Sequence, residues 1–297
     1  MMAILTVNNI SKNYGGIKAL RGVSFSVPKG SVFGILGPNG SGKTTLLGII
    51  MNVLKQSGGT YQLFDETPTD AHRKMIGTLL ETPNFYHYLS AVQNLRITAK
   101  VKGRSFDDID RVLHLVNLTQ RKNSPFSTYS LGMKQRLAIG AALLGNPDVL
   151  VFDEPTNGLD PVGIAEIRSL IKDLSAKGKT IIMASHLLDE VEKVCTHVAI
   201  LKQGNLITSG NVNEIFVHDD IVQLHSANMA LLKETLTKMP GYKKLQEADN
   251  LLEISFPAGT ADLAAINRFS FDHGITLSHL QMKRNSLESK FFELTNA

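Results

Sequence analysis

The chain has 297 residues, 43% of them hydrophobic and 20% charged, with a formal net charge of +4. That composition fits one large or two medium globular domains, and the mild positive charge reads as a solvated surface rather than a nucleic-acid or membrane patch. No uninterrupted apolar run approaches the ~18 residues of a membrane span. The start, Met1-Met2-Ala3-Ile4-Leu5-Thr6, lacks the basic and apolar regions of a secretion signal. The single cysteine, Cys195, excludes an intrachain disulfide framework and fits a reducing compartment.

Residues 3–14 read as an edge strand and a turn, and the alternating residues 19–27 as a second strand. Pro28-Lys29-Gly30 then turns the chain into a buried strand, Val32-Phe33-Gly34-Ile35-Leu36. Next come Gly37-Pro38-Asn39-Gly40-Ser41-Gly42-Lys43-Thr44-Thr45 and an apolar helix expected from Lys43 to about Leu54. The spacing of Gly37, Gly42, Lys43 and Thr44 is that of a phosphate-binding loop. Glycines let backbone N–H groups turn inward around a polyanion. The helix start adds unpaired donors and the positive end of its dipole. Lys43 is placed to reach the β and γ phosphates of a nucleotide, and the Thr44 hydroxyl to bind Mg²⁺. Ser57-Gly58-Gly59 is expected to end this unit.

Residues 72–146 are mostly helical by pattern and read as an insertion between two core strands. Its last helix is expected from Leu131 to Leu144, with Ser130 as N-cap. Ser130 and Gly132 at that helix start make a second anion site with exposed N–H groups. Asp148-Val149-Leu150-Val151-Phe152 reads as a strand buried on both faces. Asp153 at its end can hold Mg²⁺, directly or through water. Glu154 can orient a water for in-line attack on the γ-phosphate. Asp160 and Pro161 start a helix with a buried stripe of Ile164, Ile167, Ile171 and Leu174, ended by Gly178. Thr180–Ala184 is a further buried strand, closing on Ser185-His186. Ligands of open α/β sheets bind at that edge, where His186 can hydrogen-bond a γ-phosphate and the attacking water. A helix over Leu188–Val194, a strand over His197–Leu201 and a hairpin strand over Asn205–Thr208 complete a mainly parallel sheet covered on both faces. Beyond Asn211 the order strand-helix-strand-strand-helix-strand suggests a ferredoxin-like α+β module, closed by a helix over Ser286–Leu294. Should these two phosphate-binding helix starts lie at opposite ends of the fold, one ATP would be held between two head-to-tail copies closed by it.

The phosphate loop, Tyr129-Ser130-Leu131-Gly132-Met133-Lys134-Gln135-Arg136, Leu150-Val151-Phe152-Asp153-Glu154-Pro155-Thr156 with Gly158-Leu159-Asp160, and Ser185-His186 stand in one order. Over residues 3–210 the chain thereby resembles the ATPases of ATP-binding cassette (ABC) transporters. The resemblance implies an α/β cassette (domain 1–210): a RecA-like phosphate-loop core with an antiparallel β edge and a helical subdomain at about 82–146. The accessory α+β domain is expected at 211–297. It implies ATP and Mg²⁺ as cofactors, with Gly37 to Thr45 binding ATP, and Lys43, Glu154 and His186 as catalytic residues. Tyr14 would stack on adenine, and Thr44, Asp153 and Glu81 would face the metal. Ser130, Leu131, Gly132 and Met133 would form the signature facing the second protomer, and Asp160 the loop crossing the dimer interface. The family usually has glycine and glutamine where this chain has Leu131 and Met133. Glu81 replaces a usual glutamine, which puts a carboxylate where an amide donor is expected and is read as tuning the link to the membrane subunit. That departure resembles ATPases of bacitracin and lantibiotic immunity exporters.

The function so implied is ATP hydrolysis powering transport through a separate permease. Export of a drug, peptide antibiotic or lipid-like compound is expected, with a homodimer or heterodimer of ATPase subunits closing on ATP. The expected location is the cytoplasmic face of the membrane, with the chain soluble when expressed alone. Permease docking is expected near Tyr86, His87 and Tyr88, unless those rings are local core. A non-transport ATPase acting on nucleic acid or ribosomes is the alternative, and a regulatory module with weak ATPase activity a third reading. No paired cassette, long coiled coil or zinc cluster favours nucleic acid as a partner.

Overall fold

The structure is a computed structural model and describes residues 2–80, 84–215, 219–248 and 250–283. The chain divides into two compact units, residues 1–215 and 216–297.

The first unit opens with a hairpin of β1 (Ala3–Tyr14) and β2 (Ile17–Pro28). On β2 the buried residues Val23, Phe25 and Val27 alternate with exposed ones, since only one face is covered. In β3 (Val32–Leu36) every residue is buried, as cover on both faces requires. The glycine loop then leads into α1 (Lys43–Ile50). An isolated helix shorter than ~12–15 residues is marginal in water, so α1 depends on burial of Leu46, Leu47, Ile49 and Ile50. These join one core with Leu5 and Ile10 of β1, Val23 of β2 and Phe33 of β3. The helix stops short of Leu54 because Asn52 takes φ 61° and Leu54 turns back onto the core.

A strand then forms where only the end of the phosphate-loop unit was expected: β4 (Gly58–Leu63). It pairs antiparallel with β1, Leu5 opposite Leu63 and Val7 opposite Tyr61. The sheet order is β2-β1-β4, so β1, expected at an edge, is the central strand. After α2 (Asp70–Lys74) comes β5 (Ile76–Leu79), a core strand inside the stretch read as helical. The insertion proper consists of α3 (Ala91–Lys102), α4 (Asp108–Leu115) and α5 (Leu131–Leu143). A reciprocal capping box of Ser90 and Gln93 starts α3.

The core resumes with β6 (Val149–Asp153), α6 (Pro161–Ala176), β7 (Thr180–Ser185), α7 (Leu188–Val194), β8 (His197–Lys202), β9 (Asn205–Asn211) and the single turn α8 (Val212–Ile215). Ile167, Leu170, Ile171 and Leu174 form the buried stripe of α6, whereas Ile164 is half-buried. Cys195 is buried, and burial followed by the nearby Glu190 charge pushes its thiol up, as befits a core side chain. The six-stranded sheet has the order β5-β6-β7-β3-β8-β9, parallel except for β9. This order sets the carboxyl ends of β6, β7 and β3 side by side.

The second unit contains β10 (Asp220–Ser226), α9 (Met229–Leu236), β11 (Lys244–Ala248), β12 (Leu251–Phe256), α10 (Leu263–Asp272) and β13 (Leu277–Lys283). Its sheet is antiparallel, in the order β11-β12-β10-β13. Val222, Leu224, Leu252, Ile254 and Phe256 pack with Leu232, Leu236 and Ile266 of the helices. The closing helix expected over Ser286–Leu294 lies outside the described residues.

Each strand of this second sheet gives one residue to a polar cluster. The Glu253 carboxylate accepts from Lys283 Nζ at 2.6 Å, Gln223 Nε2 at 2.9 Å and Gln246 Nε2 at 3.0 Å. Burial pushes this carboxyl up, but hydrogen bonds from Lys283, Gln246 and Gln223 outweigh it and leave it below its ordinary 4.5. A depressed carboxyl contributes stability that is fully present above the unfolded value and lost as pH falls through the folded one. Glu253→Gln is therefore expected to lower the melting temperature near neutrality, with the deficit narrowing below pH 4.5. A deficit that stays constant across that range in thermal melts would remove the charge from this account.

Candidate functional site

The site grows from three neighbouring strand ends. After β3, the loop Gly37–Gly42 closes tightly: a Cβ on Gly37 would lie 2.3 Å from Leu201 O, and one on Gly42 2.7 Å from Ala19 O. Gly42 takes φ 104° as the N-cap of α1 and provides no side-chain cap. The first N–H groups of α1 are thus left for an outside acceptor. Pro38, Asn39, Gly40 and Thr44 are exposed and Thr45 half-buried, while Ser41 and Lys43 are buried. The Ser41 hydroxyl is buried with no hydrogen-bond partner among the described residues.

Lys43 folds back over the loop, donating to Gly37 O at 2.8 Å and Pro38 O at 3.2 Å. Its ammonium also lies 3.4 Å from Glu154 Oε1, just past β6. The second carboxylate oxygen of Glu154 meets His186 Nδ1 at 2.8 Å, just past β7. Glu154 is left-handed, at φ 49°, a conformation rare for a residue with a side chain. Its N–H donates to Ala184 O at 3.0 Å, which ties the strained residue to the neighbouring strand. Asp153, the last residue of β6, is buried beside it. Lys43, Glu154 and His186, brought together from three separate strand ends, therefore form one chain of contacts.

These residues fit a triphosphate and its cation. The loop is a cradle that side chains would fill, it holds an orphaned hydroxyl, and it begins an uncapped helix. The exposed Thr44 hydroxyl and the Asp153 carboxylate are oxygen donors of the kind Mg²⁺ takes. Tyr14 stands at the β1–β2 hairpin, half-exposed, with Lys12 Nζ 4.7 Å from its ring centroid. Ala19 and Leu20 of the same hairpin touch the Gly42 position.

A second cluster gathers at the starts of α5 and α6. Ser130 is exposed and caps α5, accepting from Met133 N at 3.3 Å. A Cβ on Gly132 would meet nothing within 4 Å. Asp160 caps α6, accepting from Gly163 N at 2.9 Å. A groove of about 360 Å³ is lined by Ser130, Leu131, Gly132, Gly158 and Asp160. Met133 is half-buried and Leu131 is 51% exposed, an outward apolar residue at a helix tip. Glu81 lies outside the described residues. Sequence reasoning missed an ion pair between Arg168 of α6 and Glu190 of α7. Spacing gave no signal for it, since the two residues stand 22 positions apart on different helices.

A profile of the ABC transporter family matches residues 20–157. The uncharacterized ABC transporter ATP-binding protein YhcH of Bacillus subtilis is 35% identical over 300 residues, covering 99% of this chain and 97% of that protein. The bacitracin transport ATP-binding protein BcrA of Enterococcus faecalis is 32% identical over 307 residues, covering 99% and 97%. The lantibiotic transport ATP-binding protein SrtF of Streptococcus pyogenes is 35% identical over 219 residues, covering 72% of this chain and 96% of its own. Among solved structures, the ADP conformation of an ATP-binding cassette of an ABC transporter superposes with a TM-score of 0.65 at 30% identity, covering 72% of this chain and 93% of that one. A dimeric cassette in a post-hydrolysis state with ADP and Pi gives 0.61 at 26% identity, covering 70% and 98%. A loop, an acid and a histidine converging at one sheet edge, in a chain that YhcH and BcrA match almost end to end, place it in the family of ABC transporter ATP-binding proteins, the subunits that bind and hydrolyse ATP to drive transport.

Proposed function

We propose that this chain powers export of a peptide antibiotic or similar amphiphile through a separate membrane subunit, hydrolysing ATP at Lys43, Glu154 and His186. The observation that carries the catalytic part is the bridge of one carboxylate, Glu154, between the loop cation and the histidine. The loop amides, the Ser41 hydroxyl and Lys43 bind the phosphates, and the Tyr14 ring takes the adenine face. Thr44 and Asp153 would hold Mg²⁺, which when bound would offset charge on the phosphate oxygens; the metal role expected for Glu81 falls outside the described residues. Glu154 orients a water and takes its proton, while His186 holds Glu154 in place and donates toward the γ-phosphate.

The Ser130–Gly132 tip, exposed at Ser130 and Leu131, and Asp160 face a second ATPase protomer, either a copy or a close relative, and ATP closes the pair. The outward-facing start of α5 supports this arrangement, as does the dimeric post-hydrolysis cassette among the structural relatives. No helix among the described residues is long and apolar enough to cross a membrane. A separate membrane subunit forms the pore and this subunit works at its cytoplasmic face, a reading supported by the transport ATP-binding proteins among the relatives. Tyr86 and Tyr88 are 53% and 75% exposed, which favours docking over local core. Buried Asn94 stakes their segment down with bonds to both backbone groups of Tyr86. The second unit is read as a ferredoxin-like accessory module, supported by its antiparallel order β11-β12-β10-β13 with both helices packed in one core.

The cargo reading leans on the transport named for the bacitracin and lantibiotic relatives. Pull-down of the tagged chain from its native membranes is expected to recover a polytopic subunit, and deletion of the chain to raise bacitracin sensitivity. Recovery of ribosomes or nucleic acid instead, with unchanged sensitivity, would overturn the proposal.

A further inference from the structure

Helix α7 begins two residues after His186. It has seven residues and no side-chain cap at its start, so its own hydrogen bonds hold it weakly. Leu188, Val191 and Val194 bury its apolar side, but apolar burial is non-directional and leaves rotation on the core open. Its buried charge is Glu190, 4% exposed. Both oxygens of that carboxylate are taken by Arg168 of α6, with Nη2 donating to Oε1 at 2.5 Å and Nε to Oε2 at 3.3 Å. A two-point fork fixes orientation as well as distance. Stability is a poor explanation for such a pair, since apolar residues of similar volume often do as well in a buried place. A partly exposed contact of 3.5 Å between Arg136 and Glu166 joins α6 to α5 in turn. Helix α6 is thus tied by charge to the helices behind both His186 and Ser130.

We propose that Arg168 and Glu190 are positioning residues for ATP hydrolysis: their two-point contact sets the rotation of α7 on α6 and so holds the His186 imidazole against the Glu154 carboxylate. The inference rests on the catalytic roles proposed for His186 and Glu154. With the contact broken, α7 keeps its apolar seat but turns on it, and the 2.8 Å approach of His186 to Glu154 is lost. A misplacement of ~1 Å at such a centre can cost ~10²-fold in rate.

The test is steady-state ATPase kinetics on the purified full chain, with Glu190→Gln and His186→Ala made singly and together. Glu190→Gln is expected to lower kcat at least about tenfold with KM for ATP within about twofold, and to add nothing in the His186→Ala background. A kcat within about twofold of the parent, or an equal further loss on top of His186→Ala, would overturn the proposal. Should Glu190→Gln melt early, Arg168→Met/Glu190→Leu refills the site without charge; a normal melt with kcat still low supports positioning, and a restored kcat refutes it. The outcomes also separate this inference from the site reading beneath it. If His186→Ala alone leaves kcat unchanged, the reading of the site fails; if only the Glu190 variants are silent, the inference alone fails.

Discussion

Glu154→Gln is expected to lower ATP turnover by ~10²–10⁴-fold while ATP still binds, the range for loss of a positioned general base. The substitution keeps the volume and the N–H that anchors residue 154 to Ala184 O at 3.0 Å, so the left-handed turn after β6 persists. What goes is the negative charge between Lys43, 3.4 Å away, and His186, 2.8 Å away. An amide accepts a hydrogen bond but cannot take a proton from water near neutral pH. Lys43 loses a competing carboxylate, so ATP affinity should hold or rise. Single-turnover hydrolysis and fluorescent nucleotide titration on the same preparation check both halves. Turnover within a few-fold of the parent would remove Glu154 from the chemistry and leave His186 without its partner.

The second large effect concerns a residue whose Cβ position is open to solvent. Gly132→Asp is expected to leave the isolated protein folded and ATP-binding, yet to lower turnover by ~10²-fold or more, on the order of what losing one stabilising donor costs, because a carboxylate placed at this tip repels the phosphate. The space around Gly132 is open to 4 Å, so the new side chain meets no clash. It sits in the first turn of α5, where a carboxylate interacts favourably with the helix dipole by ~0.3–1 kcal/mol. The same charge opposes a phosphate arriving at that helix tip from a second protomer. Melting temperature, ATP binding and light scattering of the ATP-bound form in the Glu154→Gln background separate these effects. A variant that melts normally, dimerises with ATP and turns over at the parental rate would show that the tip faces no nucleotide.

Both results depend on which features local sequence can carry. The phosphate loop was legible because the turn, the lysine and the uncapped helix start occupy nine consecutive residues. The starts of α5 and α6 were legible because Ser130 and Asp160 cap their own helices three residues on. β6 and β7 read correctly because burial on both faces leaves unbroken apolar runs. By contrast β4, Gly-Gly-Thr-Tyr-Gln-Leu, has little strand character of its own and exists because β1 offers it an edge. β1 could not reveal its central place, since alternation reports which face is covered and not how many neighbours a strand has. β5 spans only four residues within a helical region, and pairing with β6 makes it a strand.

The amino-acid order alone thus determined the chemistry on offer: a phosphate cradle, an acid after one buried strand, a histidine after another and two capped helix tips. Tertiary structure decided that Lys43 and His186 share the Glu154 carboxylate, and that Arg168 reaches Glu190. The reason is one of range. Caps, glycine turns and apolar runs act over a few residues, whereas these contacts depend on strand order in a sheet, which burial of the whole core selects and no single segment encodes.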